Sequence, residues 1–235
     1  MAVFDDCIAY WKCDEATGVT RADSVGSWDL ADTSGDVSAY TGKINNGALS
    51  DGSGSLYAST SPPGALSGGA VSIAGWFRLD TNETGVIDVI DLQLSDSYAV
   101  KIQMSWTNNT CKWFVTDGVN TNASGLWGVS VTAWTVWNFL TITWTGTTVT
   151  TTANTGSATR TVTGSPAAPN LATSKTPVSL LYDIGSIAVD ELGVWDSALA
   201  AADVSTLYNA GNGRTFGSSG AAVGAAFAGF HGFAK

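Results

Sequence analysis

The stretch Tyr98-Ala-Val-Lys-Ile-Gln-Met-Ser-Trp-Thr-Asn-Asn-Thr-Cys-Lys-Trp-Phe-Val-Thr116 decides the fold class. Tyr98, Val100, Ile102, Met104 and Trp106 alternate with Ala99, Lys101, Gln103 and Ser105. A period of two is the mark of a strand with one face buried, because successive side chains point to opposite sides. The polar run Thr107-Asn108-Asn109-Thr110 then reads as a turn. If the chain folds back there, Trp106 opposes Cys111, Met104 opposes Trp113 and Ile102 opposes Val115.

Working outward, the same grammar recurs. Leu140, Ile142 and Trp144 alternate with Thr141, Thr143 and Thr145, and Gly146 marks a turn before Val149 to Asn154 returns. The threonines are expected on a solvent face, where β-branched side chains suit an exposed sheet. Short strands separated by Gly, Asn and Ser turns predict an all-β sandwich or jelly roll. One short helix is expected near the end, with Val204, Leu207 and Tyr208 on one stripe. Ala200 is its weak N-cap, Leu199 and Val204 form a staple, and Gly211 is the left-handed C′ residue.

Composition narrows the function. Twenty acidic against ten basic residues give a net charge of −10, and no basic run is present. Such a chain is a poor partner for nucleic acid. Charged residues are 13% of the chain, about half the usual share, so Thr, Ser, Asn and Gly carry the surface. That suits an assembly component or a binder of polar ligands.

The three cysteines cannot all pair within the chain. Cys7 and Cys13 in one extended segment lie roughly 20 Å apart, far beyond the reach of a disulfide. Three reduced thiols are expected. Asp5 and Asp6 stand where a secretory signal has basic residues, so synthesis in the cytoplasm without a signal peptide is expected. The most apolar stretch, Ala221 to Phe230, is much shorter than the ~20 residues of a membrane span, so no membrane insertion is expected.

Five blocks, in order, resemble the laminin-G-like branch of the concanavalin A-like jelly rolls. They are IAYWKCDEATGVTRADSVG at Ile8 to Gly26, GKINNGALSDGSGSLY at Gly42 to Tyr57, and SIAGWFRLD at Ser72 to Asp80. WNFLTITWTG at Trp137 to Gly146 and IGSIAVDELGVWDSALAAADVSTLYNAGNG at Ile184 to Gly213 complete the set. The resemblance implies two antiparallel sheets over residues 1–214 and one structural calcium ion held by Asp23 and Asp190. Cys13 departs from the family's frequent Phe, Ala200 from its capping Ser, and Asp117 to Trp134 has no counterpart.

Catalysis finds little support. The one histidine, His231, lies near the end of the chain, which excludes a His-based triad within the sandwich. Glucanases of this superfold need two carboxylates on one strand face. The nearest strings are Asp88 to Leu92 and Val189 to Asp196, and in the latter a regular strand points Asp190 and Glu191 to opposite faces.

Most of the ten tryptophans, Trp76 and Trp137 among them, follow strand patterns and read as core. Trp127 and Trp134 fall in the segment without counterpart and are the candidates for stacking on sugars. Residues 215–235 are a Gly/Ala-rich tail whose Phe216, Val223, Phe227, Phe230 and Phe233 are candidates for anchoring the sandwich in an assembly.

The expected function is therefore a non-catalytic, lectin-like structural or binding protein. A bacteriophage virion component (capsid decoration, fibre or tail-associated) that adheres to glycans is the first reading, with other virion subunits or its own copies as partners. A carbohydrate-binding module of a secreted enzyme or adhesin, located outside the cell, is the alternative.

Overall fold

The computed structural model describes residues 3–32, 35–51, 56–58, 69–79, 86–93, 101–107, 110–116, 121–123, 135–145, 148–154, 156–161, 178–180 and 186–217. Among these, fifteen strands and one α-helix form an all-β sandwich. In chain order the strands are β1 (Cys7–Trp11), β2 (Ala31–Asp32), β3 (Ser38–Thr41), β4 (Asn46–Ser50) and β5 (Leu56–Ala58). Next come β6 (Val71–Leu79), β7 (Val86–Gln93), β8 (Lys101–Thr107), β9 (Thr110–Thr116) and β10 (Thr121–Ala123). The last five are β11 (Asn138–Trp144), β12 (Thr148–Ala153), β13 (Gly156–Thr161), β14 (Val178–Leu180) and β15 (Ile187–Trp195), followed by helix α1 (Ala201–Tyr208).

One sheet runs β13-β12-β11-β6-β15-β4-β3, with β1 also on β15; the other runs β10-β9-β8-β7-β14-β5-β2. All strand pairs described are antiparallel. The main core lies between the sheets, where Ile73, Phe77, Ile142, Trp144, Val189 and Val194 of the first meet Leu56, Ile90 and Leu92 of the second. No helix among the described residues is long and apolar enough to cross a membrane.

The β8–β9 register is the expected one, with Trp106 opposite Cys111, Met104 opposite Trp113 and Ile102 opposite Val115. The pairing continues to Thr107 opposite Thr110, so the connection is tighter than a four-residue loop.

The β11 threonines correct an expectation. Thr141 and Thr143 are buried, not solvated. The outer face of the first sheet carries a second core of Cys7, Tyr10, Ala74, Trp76, Phe139 and Trp195, over which Val204 and Leu207 of α1 pack. Thr143 shares a 2.9 Å hydroxyl contact with Ser72, whose hydroxyl donates to the Ser197 carbonyl and accepts from the Leu199 N–H. The segment leading into α1 is thus hydrogen-bonded to the outer face of the sheet.

The N-cap of helix α1 is Ala200, which is extended and supplies no side-chain cap. Asp203 compensates by accepting the Ala200 N–H at 3.0 Å, the half of a capping box that an alanine leaves possible. The expected Gly211 is left-handed (φ 87°), and the left-handed conformation already begins two residues earlier, at Asn209 (φ 48°) and Ala210 (φ 51°). Asparagine tolerates that region better than most residues, and its side-chain amide donates to the Gly213 carbonyl at 2.8 Å.

Candidate functional site

Asp23 is a structural carboxylate. It is 8% exposed, and its Oδ1 accepts the N–H groups of Tyr10 and Val25, both at 2.9 Å. Oδ2 accepts the Trp28 N–H at 3.1 Å. One side chain therefore ties β1 to the loop that follows it, a loop that also buries Trp28 completely.

Asp190 and Glu191 occupy a fault in β15. On one edge β4 pairs with Ile187 to Val189, and β1 then takes over along the rest of β15, with Trp11 opposite Leu192. The carboxylates sit at that change of partner. On the other edge, Asp190 opposes Trp76 and Gly193 opposes Ala74, so Glu191 and Leu192 together face Gly75 alone. Two residues against one is a β-bulge. Gly75 is needed there, because a Cβ would lie 2.9 Å from Leu192 Cδ1 and 3.2 Å from Leu192 Cα. Glu191 takes the extra place with φ 49°, the left-handed region that a glutamate adopts only under constraint.

The bulge changes where side chains point. Cross-strand partners share a face, so Asp190 lies with Trp76 on the outer side. Leu192 returns to the main core, and Glu191 lies beside the outer-face Tyr10 hydroxyl. The opposite-face reading of Asp190 and Glu191 is therefore wrong, because the inserted residue resets the alternation. Both carboxyls are enclosed, at 0% and 3% exposure.

Asp190 Oδ2 accepts the Lys43 and Ile44 N–H groups at 2.7 and 2.8 Å in the turn between β3 and β4, while Oδ1 has no hydrogen-bond partner. Burial raises the Asp190 carboxyl to about 8, with the Glu191 charge adding to the rise and the Ile44 and Lys43 N–H groups opposing it. Burial likewise raises Glu191 to about 7, against the neighbouring Tyr10 and Thr215 hydroxyls, which favour its charge. Neither carboxyl oxygen of Glu191 makes a well-formed hydrogen bond. A protonated acid in a dry setting costs far less than an ionised one.

These residues do not fit the calcium ion that the sequence resemblance implies. Calcium takes six to eight oxygens. Both Asp23 oxygens and Asp190 Oδ2 already receive N–H donors, which compete with a cation for the same lone pairs. Among the described residues no group of three or more His, Cys, Asp and Glu side chains converges on one point.

Phe216, assigned from sequence to the tail, belongs to the sandwich. Its ring lies 5.2 Å from Phe4 and 5.7 Å from Tyr10, and the Tyr10 hydroxyl donates to the Arg214 carbonyl at 3.0 Å. The chain is thus packed as far as Phe216, two residues beyond the expected boundary. Trp127, Trp134, Val223, Phe227, Phe230 and Phe233 lie outside the described residues.

Sequence reasoning missed two buried groups. Trp28 is buried against Trp11, whose indole N–H donates to the Trp28 carbonyl at 2.8 Å. Arg21 is fully buried and donates to the Ala16, Val19 and Val37 carbonyls. Both sit in loops, where no periodicity announces burial.

No protein-family model matches the chain, and no curated protein matches its sequence. Solved structures do match its fold. The chain is similar to the botulinum neurotoxin serotype D binding domain, at 12% identity and TM-score 0.64, over 87% of this chain and 51% of that one. It is similar to the binding domain of Paraclostridial Mosquitocidal Protein 1, at 13% identity and TM-score 0.68, over 88% and 52%. The binding domain of botulinum neurotoxin DC in complex with SialylT matches at 15% identity and TM-score 0.67, over 88% and 52%. The chain spans about half the length of these structures. At such identities the likeness shows a shared fold.

Proposed function

We propose that this chain is a non-catalytic, lectin-like binding module of the laminin-G-like kind, one that adheres to glycans. The enclosure of Asp190 and Glu191 carries this reading. They are adjacent in sequence, lie on the same face, and are shut away from solvent. A general acid or nucleophile must reach its substrate. The binding-domain neighbours add support, one of them solved with a sialyl ligand.

We place the module on an assembled particle, as a virion surface component with other virion subunits or its own copies as partners. The support is compositional: a surface of Thr, Ser, Asn and Gly, and few charges. A second reading has its own support. The matched structures are about twice as long, so the sandwich also suits a carbohydrate-binding module of a larger secreted enzyme or adhesin.

A glycan array run on purified protein tests the binding. Retention of a defined glycan class is expected, and a blank array removes the reading. Electron microscopy of particles made with and without the chain separates the two settings. Density lost with the chain supports the virion surface, and unchanged particles favour the module of a larger protein.

A further inference from the structure

A cleft of about 270 Å³ opens beside the second core, between the N-terminal segment and the loop that leads into α1. Val3, Trp195 and Leu199 give it apolar walls, and the half-buried Asp6 and Asp203 line it as well. The Trp195 indole N–H donates to the Val3 carbonyl at 2.7 Å, and the Asp196 N–H donates to the Asp6 carbonyl at 3.0 Å. The N-terminal wall is therefore fixed to the end of β15. Pockets for small molecules run to about 300–1,000 Å³, so this one suits a single inserted side chain.

The chain leaves the sandwich beside this cleft. Phe216 packs on Phe4 at 5.2 Å, and Phe4 follows Val3 and stacks on Trp195 at 6.4 Å. Residues 218–235 bring Phe227, Phe230 and Phe233 together with His231 and Lys235, and no acid. Residues 3–6, 195–203 and 214–216, which surround the cleft, carry Asp5, Asp6, Asp196 and Asp203 against one base, Arg214. Aromatic rings and positive charge on the tail thus complement apolar walls and an excess of negative charge around the cleft.

We infer that the cleft receives the tail of a second copy of this chain, with a tail phenylalanine inserted and the Lys235 ammonium at Asp6 and Asp203. The inference rests on the reading above in which the chain's own copies are partners, and it names the contact between them. Tail exit and cleft lie on one patch, so two copies that meet there each give a tail to the other and close as a two-fold pair. An aromatic ring in the neighbour's pocket is the energetic centre of such a contact, and the ion pair at its rim adds selectivity.

The test is sedimentation of the full chain, of a chain ending at Gly217, and of full-length A198R, D6K and K235E, whose folding is checked by thermal melts. An amidated peptide of residues 218–235 is also titrated into the shortened chain. Ala198 is exposed and lines the cleft, so A198R fills it from the solvent side. The full chain should pair reversibly as its concentration rises, and the shortened chain should stay single and bind the peptide. A198R should weaken pairing by about tenfold or more. D6K or K235E alone should weaken it by about fivefold, the scale of one ion pair at a rim, and the two combined should recover most of the loss. D6K carries the test if A198R does not fold. Pairing that survives truncation, or that folded A198R and D6K leave unchanged, overturns the cleft contact and leaves the own-copies reading standing. A full chain that stays single while the shortened one binds the peptide shows a tail folded onto its own cleft, which overturns the exchange. A full chain that stays single with the peptide unbound removes both this inference and the own-copies reading.

Discussion

Asp190 and Glu191 are neighbours in the chain and yet lie on the same face of the sheet. In a regular strand consecutive side chains diverge. Here Glu191 is the inserted residue of a bulge opposite Gly75, and the two carboxyls are enclosed between the β3–β4 turn, Tyr10 and the segment at Thr215. A same-face acid pair raises the possibility of hydrolysis that a regular strand forbids. Burial then shuts both groups away from solvent.

The pair makes stability depend on pH. Their ordinary values, 3.8 and 4.5, rise to about 8 and about 7 in the native state. Between about pH 4 and pH 7 the folded chain therefore binds more protons than the unfolded one, and stability falls as pH rises. Each carboxyl that retains its proton contributes a slope of up to ~1.4 kcal/mol per pH unit. Denaturant melts at pH 5, 6 and 7 should show decreasing stability, and the slope should shrink in D190N and E191Q proteins. A stability that rises across this range contradicts the assignment.

Asp23 should behave as a hydrogen-bond hub, not a metal ligand. D23A leaves the Tyr10, Val25 and Trp28 N–H groups without their acceptor. The cost should be about 2–4 kcal/mol, with D23N intermediate because one oxygen remains. Chelator should leave the melting temperature unchanged. A drop on chelation, restored by calcium, would show that an ion is bound after all.

Much of the fold is legible because period-two alternation survives any amount of context. The β8–β9 register follows from Trp106, Met104 and Ile102 facing Cys111, Trp113 and Val115. The helix follows from Val204 and Leu207, which are both buried. What the alternation cannot carry is an extra residue. Nothing in Val189-Asp190-Glu191-Leu192 marks the bulge, and the nearest signal, Gly75, stands on a different strand. Burial by a partner layer is equally hidden. Thr141 and Thr143 read as solvent-facing until α1 and the Ser197–Leu199 segment cover their side of the sheet.

The thiols should be inert in the native protein. Cys7 and Cys13 are free and buried, and burial pushes Cys7 up to about 12 and Cys13 well above its ordinary range. A thiol that does not ionise is a poor nucleophile. Alkylating reagent should leave both unmodified in native protein and modify both in denaturant, as read by peptide mass. Fast native labelling of either residue contradicts its enclosure.

Truncation separates the sandwich from the tail. A chain ending at Gly217 keeps Phe216 on Phe4 and Tyr10 and should melt as the full chain does. F216A should cost about 1 kcal/mol, part of the value of a fully buried phenyl ring. If Val223, Phe227, Phe230 and Phe233 anchor the module, the truncated chain should remain folded and fail to join its particle or oligomer. Assembly at full-length yield would end the anchor proposal.

Binding without turnover is most directly tested by the fate of the bound glycan. Immobilised protein is incubated at pH 6 and pH 8 with the glycan it retains best, which is then eluted and sized by mass spectrometry. Saturable retention and recovery at unchanged length under both conditions are the expected result. Shortened products that disappear in the D190N or E191Q protein would contradict it, as they would make the buried pair a catalytic one.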